Sequence, residues 1–227
     1  MIKHYQKIIL LTLCFFLISN DAYCRDSNKE WNVGVISGPF SNDSAWQYYL
    51  EPQLRLINDR YVFNQAFFLT GIGYQFTPTL KLYVGPGYIF TLTTDGKTYD
   101  TYRVWQQLDW QAVKNSSFWL ASRTRLQEDT RSNNTGVLVI LRQRYWLRIP
   151  IKNTNHYFYS LFDEIFLNVN ETSWSSHTLF EQNRLFAGIG KQITKNVFLD
   201  FGYLNQAQFG SHSAINNVII FSFTVML

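Results

Sequence analysis

The sequence predicts an all-β fold, an antiparallel transmembrane β-barrel of about ten strands, with twelve as the alternative count and both termini periplasmic. Three observations carry this. Apolar and polar residues alternate with period two through runs of about ten to fifteen residues, the length a tilted strand needs to cross an apolar band of about 25 Å. Aromatic residues, 18% of the chain, recur near the ends of those runs on their apolar faces. Connections are alternately tight and longer, the asymmetry of periplasmic turns and extracellular loops. Composition agrees: 46% of residues are hydrophobic and 16% charged, against roughly 25% charged in soluble domains. With only one long apolar run, the mean hydropathy of -0.14 excludes a bundle of transmembrane helices.

That run opens the chain. Lys3 and Lys7, the apolar stretch Ile8 to Ile18, and then Ala22-Tyr23-Cys24 have the layout of a secretory signal peptide over residues 1–24, with an apolar part too short to anchor. Cys14 and Cys24 leave with it, so the mature chain carries no thiol and no disulfide. The remaining 18 basic and 15 acidic residues give +3, too weak a balance for a nucleic-acid partner.

Residues 25–43 read as an N-terminal leader or an extra strand. Trp31 to Ser37 alternates only weakly, and parity argues against simply adding one strand to an even barrel. Residues 44–227 form the barrel, with runs at 44–57, 61–76, 79–93, 100–113, 117–128, 136–149, 156–168, 180–194, 197–207 and 215–227. In the third, Leu80, Leu82, Val84, Tyr88 and Phe90 alternate with Lys81, Tyr83 and small residues. In the fourth, Val104, Leu108 and Trp110 alternate with Arg103, Gln107 and Asp109. In the sixth, Val139, Leu141, Tyr145 and Leu147 alternate with Arg142, Arg144 and Arg148. The last run is the clearest, with Ile215, Ile219, Phe221, Phe223, Val225 and Leu227 on one face and Asn216, Ser222 and Thr224 on the other. Such a C-terminal strand is what outer-membrane barrels present to their assembly machinery. Trp46, Tyr48, Tyr88, Phe90, Tyr102, Trp110, Phe118, Tyr145, Phe201 and Tyr203 suit interfacial girdles.

Six blocks in order, WQQLDW (105–110), RTRLQED (123–129), LRQRYWLRIPI (141–151), FDEIFLNVNETSW (162–174), FEQNRLFAGIGKQI (180–193) and LDFGYLNQ (199–206), carry a resemblance. The chain resembles the Gram-negative family called domain of unknown function 2490 over nearly all of its length after the signal peptide. The resemblance implies an outer-membrane β-barrel and supplies no activity. Lys191 departs from the family pattern, where an aromatic or aliphatic residue is usual; facing lipid, it belongs near the interface beside the Thr194 turn.

On the polar faces stand Arg55, Lys81, Arg103, Arg123, Arg125, Arg142, Arg144, Arg148 and Arg184, with Glu51, Asp109, Glu164 and Asp200. Arg123 and Arg125 should oppose Arg142 and Arg144 on the next strand, and like charges directly opposite are destabilising unless something anionic answers them. Asp109 on the preceding strand and Glu164 on the following one are the candidates, with Arg184 beyond Glu164. The expected lumen ion network is therefore Arg103, Asp109, Arg123, Arg125, Arg142, Arg144, Glu164 and Arg184. It is either a ladder filling a narrow lumen or a basic constriction favouring anions.

These alternatives give a structural role or a narrow passive pore in the outer membrane. The expected partners are the membrane's lipids and lipopolysaccharide, the barrel assembly machinery, and a small anionic solute. A lipid-modifying acyl hydrolase is the rival class. Its serine and histidine are hard to find here: Ser211 and Ser213 directly flank His212 and so point to the opposite face of an extended chain. His156 and His177 stand near Ser160, Ser175 and Ser176. A surface-binding role rests on the length of loop 168–179 alone. No metal-ligand spacing and no glycine-rich phosphate loop occurs, and no cofactor is implied.

Overall fold

The computed structural model describes residues 27–57, 62–154, 156–211 and 213–227; the expected signal peptide lies outside them. The described residues form eleven strands and no helix: β1 (Ser27–Pro39), β2 (Trp46–Ile57), β3 (Val62–Thr77), β4 (Leu80–Leu92), β5 (Thr98–Lys114), β6 (Trp119–Arg131), β7 (Leu138–Pro150), β8 (Tyr157–Asn168), β9 (Phe180–Thr194), β10 (Val197–Gln208) and β11 (Ala214–Met226). They close into one barrel in chain order. Every neighbouring pair is antiparallel except β1 and β11, which run parallel.

Eleven strands correct both expected counts, ten and twelve. An odd barrel closes only through one parallel pair, and alternation within single strands carries no signal for such a pair. Ser27 lies beside Asn216 and Ser37 beside Met226, so the strand array starts and finishes at opposite ends of the barrel. An even array, as expected, would have started and finished at the same end. β1 alternates weakly because it inverts the usual pattern: Trp31, Val33 and Val35 turn inward, while Glu30, Asn32 and Gly34 face out. Pro52 of β2 covers Gly34, its Cγ 3.1 Å from where a Cβ would stand.

Elsewhere the two faces separate into an apolar outer wall and a polar interior. Leu54, Phe68, Ile72, Val84, Val104, Ile189, Phe201 and Phe221 all point outward and are 42–54% exposed. One polar stripe interrupts this wall. Gln143 Nε2 donates to Ser122 Oγ (2.8 Å), Thr124 Oγ1 donates to Gln143 Oε1 (2.6 Å) and Asn183 Nδ2 donates to Asp163 Oδ1 (2.6 Å), so its groups are paired within the wall. Connections 93–97, 132–137 and 169–179, with the last residues of β2 and β10, lie at the end where β11 begins. Connections 40–45, 78–79, 115–118 and 195–196, with the last residues of β7, lie at the C-terminal end.

Close backbone approach makes room for large interior side chains. A Cβ on Gly85 would collide with the Thr70 carbonyl oxygen and stand 2.6 Å from Gly71 Cα; one on Gly71 would stand 2.8 Å from Trp105 Cζ2. Trp105 fills this space completely buried, donates from Nε1 to the Pro86 carbonyl (3.1 Å) and packs 5.1 Å from the Tyr49 ring. Gly85→Ala should therefore cost about 1–3 kcal/mol through overpacking against backbone that cannot move aside. Gly87→Ala should cost less, because its neighbours at 3.0–3.3 Å are the side chains of Leu69 and Arg103. Urea midpoints of the two refolded variants decide this; equal losses would remove backbone contact as the cause.

Candidate functional site

The interior charges follow from the register. One row of direct partners crosses six strands: Lys81 on β4, Asp109 on β5, Arg123 on β6, Arg144 on β7, Glu164 on β8 and Arg184 on β9. Arg125 and Arg142 face each other one inward position along. Arginines thus stand opposite arginines across β6 and β7, and their stability depends on carboxylates from neighbouring strands.

Glu164 is the main answer. It is 2% exposed and accepts from Arg123 Nη2 at 2.6 Å and Arg142 Nη2 at 2.8 Å, with Arg184 Nη1 at 3.9 Å. Arg125, 1% exposed, donates to Glu51 Oε2 (2.7 Å) from Nη2 and to Gln107 Oε1 (2.6 Å) from Nε. Tyr49 and Gln53 also donate to Glu51. Arg103 forms a two-pronged pair with Asp129, both contacts 2.7 Å, and Arg148 reaches Asp200 at 2.8 Å.

All eight residues of the expected network point inward, but not all join it. Asp109 accepts from Gln107 Nε2 (2.9 Å) and has no arginine in ion-pair range among the described residues. Arg144 has no ion pair among the described residues; its guanidinium stacks 4.7 Å from the Trp146 ring and 5.4 Å from Phe162. Sequence reasoning missed Asp129. Ending the fifth run at residue 128 dropped it by one position, although it continues the inward series Arg123, Arg125, Gln127.

The network divides the lumen. A cavity of about 420 Å³ opens toward the end where β11 begins, and one of about 460 Å³ toward the C-terminal end. Trp31, Glu51, Gln53, Arg55, Arg142 and Arg184 line both and form the septum between them. Together the two linings hold twelve Lys and Arg side chains against six Asp and Glu, a basic excess.

No serine and histidine pair up among the described residues. Ser160 Oγ is fully buried and accepts from Trp146 Nε1 (2.9 Å). Ser175 Oγ turns to the Thr172 carbonyl, and His177 lies 3.5 Å from Glu171. His212 lies outside the described residues.

A family model described as protein of unknown function (DUF2490) matches residues 28–217, from the start of β1 into β11. The chain belongs to that family. An uncharacterized protein of Methylorubrum extorquens is 25% identical to this DUF2490 chain over 212 residues, covering 91% of the chain and 90% of the relative. No solved structure matches it. The family match takes in every residue of the ion network. Lys191, the departure noted in the sequence, sits on the outer wall with Nζ 4.9 Å from the Tyr157 ring, close to the C-terminal end of the barrel.

Proposed function

We propose that this protein is an outer-membrane barrel that is shut to bulk solute at its middle and presents basic chambers to anions on either side. Its role is then structural and anion-receiving, not that of a general diffusion pore. The observation that carries this reading is the septum, whose Arg142 is held, together with Arg123, on the buried Glu164 beside it, with the septum's Arg184 close by. Membrane residence is supported by strands of 12 to 17 residues and by the exposed apolar wall, since soluble monomers rarely expose contiguous apolar patches beyond a few hundred Å². One observation favours a second reading, a narrow anion passage: both cavities end on the same six residues, so one rearrangement there would join them.

Planar-bilayer recording of the refolded protein tests the proposal. The expected result is no steady conductance, with no neutral-sugar permeation in proteoliposomes. Small anion-selective steps would move the assignment to the narrow passage. Large steps, or cation selectivity, would overturn both.

A further inference from the structure

We infer that the cavity at the C-terminal end of the barrel is a binding site for an amphiphilic carboxylate, a single apolar chain ending in one negative charge. This deepens the anion-receiving reading and rests on it. The two walls of the cavity differ in kind. On one side Val33, Phe162, Phe186 and Ile220, packed over the fully buried Leu204, form an apolar wall contributed by β1, β8, β9 and β11. On the other stand Lys81, Asp109, Arg123 and Arg144.

Arg144 marks the boundary between these walls. Stacking on Trp146 and Phe162 holds its guanidinium in place, and its side chain makes no hydrogen bond among the described residues. Its register partner Glu164 is already engaged by Arg123 and Arg142. A fixed planar fork with free N–H groups matches a carboxylate, and an apolar chain attached to that carboxylate would lie along the opposite wall. Four carboxylates line this space: Glu51, Glu164 and Asp200 are each paired with an arginine, and Asp109 is bracketed in register by Lys81 and Arg123, so cations answer each repelling charge. The volume, about 460 Å³, is within the usual span of small-molecule sites, about 300–1,000 Å³.

Access and contrast agree. The cavity is lined at its mouth by Thr79, Lys114, Lys195 and Asn196, so lysines flank the entrance and draw in anions. The cavity beyond the septum has a different character: Gln65, Thr91, Thr101, Gln127 and Gln206 are among its lining side chains. Its own apolar cluster, Leu138, Ile140 and Phe166, turns less surface to the cavity than the wall at the C-terminal end does.

The test is tryptophan quenching by 11-bromoundecanoate, applied to detergent-free refolded protein held in an amphipathic polymer, since Trp31, Trp119 and Trp146 line the cavity. Expected are saturable quenching, competition by decanoate but not by acetate or decanol, and tighter competition from octanoate to decanoate by about fourfold per methylene. Arg144→Gln should weaken binding at least tenfold, and Arg144→Lys should restore part of it. Should Arg144→Gln fail to refold, the chain-length series on the unaltered protein decides alone. Absence of saturation, or decanol competing as well as decanoate, would overturn the inference. Acetate competing as well as decanoate would overturn it too, while leaving the basic lumen intact. Open conductance together with retained decanoate binding would instead strike only the shut septum.

Discussion

Glu164→Gln is expected to lower the stability of the refolded barrel by about 3–5 kcal/mol, the range for removing one partner of a buried ion pair. Glu164 is 2% exposed, and Arg123 and Arg142 both donate to its Oε1. A glutamine keeps the volume and one acceptor oxygen but supplies no charge, so the guanidiniums remain buried and uncompensated. The loss should appear as a lower urea midpoint, with conductance absent before and after. A water-filled interior predicts the opposite pattern. Water would solvate the freed arginines, stability would hardly change and anion selectivity would rise. Asp109→Asn provides the comparison, because Asp109 accepts a hydrogen bond from Gln107 and has no arginine in ion-pair range among the described residues; its loss should be well below that of Glu164→Gln. If Glu164→Gln changes neither stability nor conductance, the septum does not hold the lumen shut.

How far the sequence could be read depends on where the information sits. Ten of the strands were visible because apolar residues on one parity and polar residues on the other leave a period of two. Even the register across Arg123, Arg125, Arg142 and Arg144 followed, since the connection between β6 and β7 leaves little freedom once both faces are fixed. β1 escaped for a physical reason. Its outward residues include Glu30, Asn32 and Gly34, and its apolar residues point inward to Phe186, Leu204 and Ile220, so the expected sign of the alternation is reversed. The parallel closure with β11 is a relation between the two ends of the chain and leaves no local trace. Within the site, parity told which charges face the lumen but not which ones meet. Glu164 reaches Arg123 two strands away on β6 as well as Arg142 on the adjacent β7, whereas its direct neighbour Arg144 turns onto Trp146. Side-chain length and aromatic stacking make that choice.

Arginine placed at mid-strand on the outer wall, at Val104, Leu108 or Phe221, should cost about 2–4 kcal/mol if the wall faces lipid. These side chains are 38–49% exposed, so in water the same substitutions would touch little and change stability by roughly 0.5 kcal/mol or less. The comparison therefore separates a membrane barrel from a soluble one of the same fold. The inward control has to be chosen from the structure. Parity alone marks Gln107 as a mild inward site, but it is 2% exposed and its Oε1 holds Arg125 Nε at 2.6 Å, so a cation there would confront Arg125. Thr224 and Ser222 are better controls, because both line the C-terminal cavity, where a long side chain has space. Urea unfolding from lipid vesicles should give large losses for the three outer positions and smaller ones for Thr224→Arg and Ser222→Arg. Losses near zero at Val104, Leu108 and Phe221 would place that wall in water and withdraw the membrane assignment, while leaving the ion network and its septum unchanged.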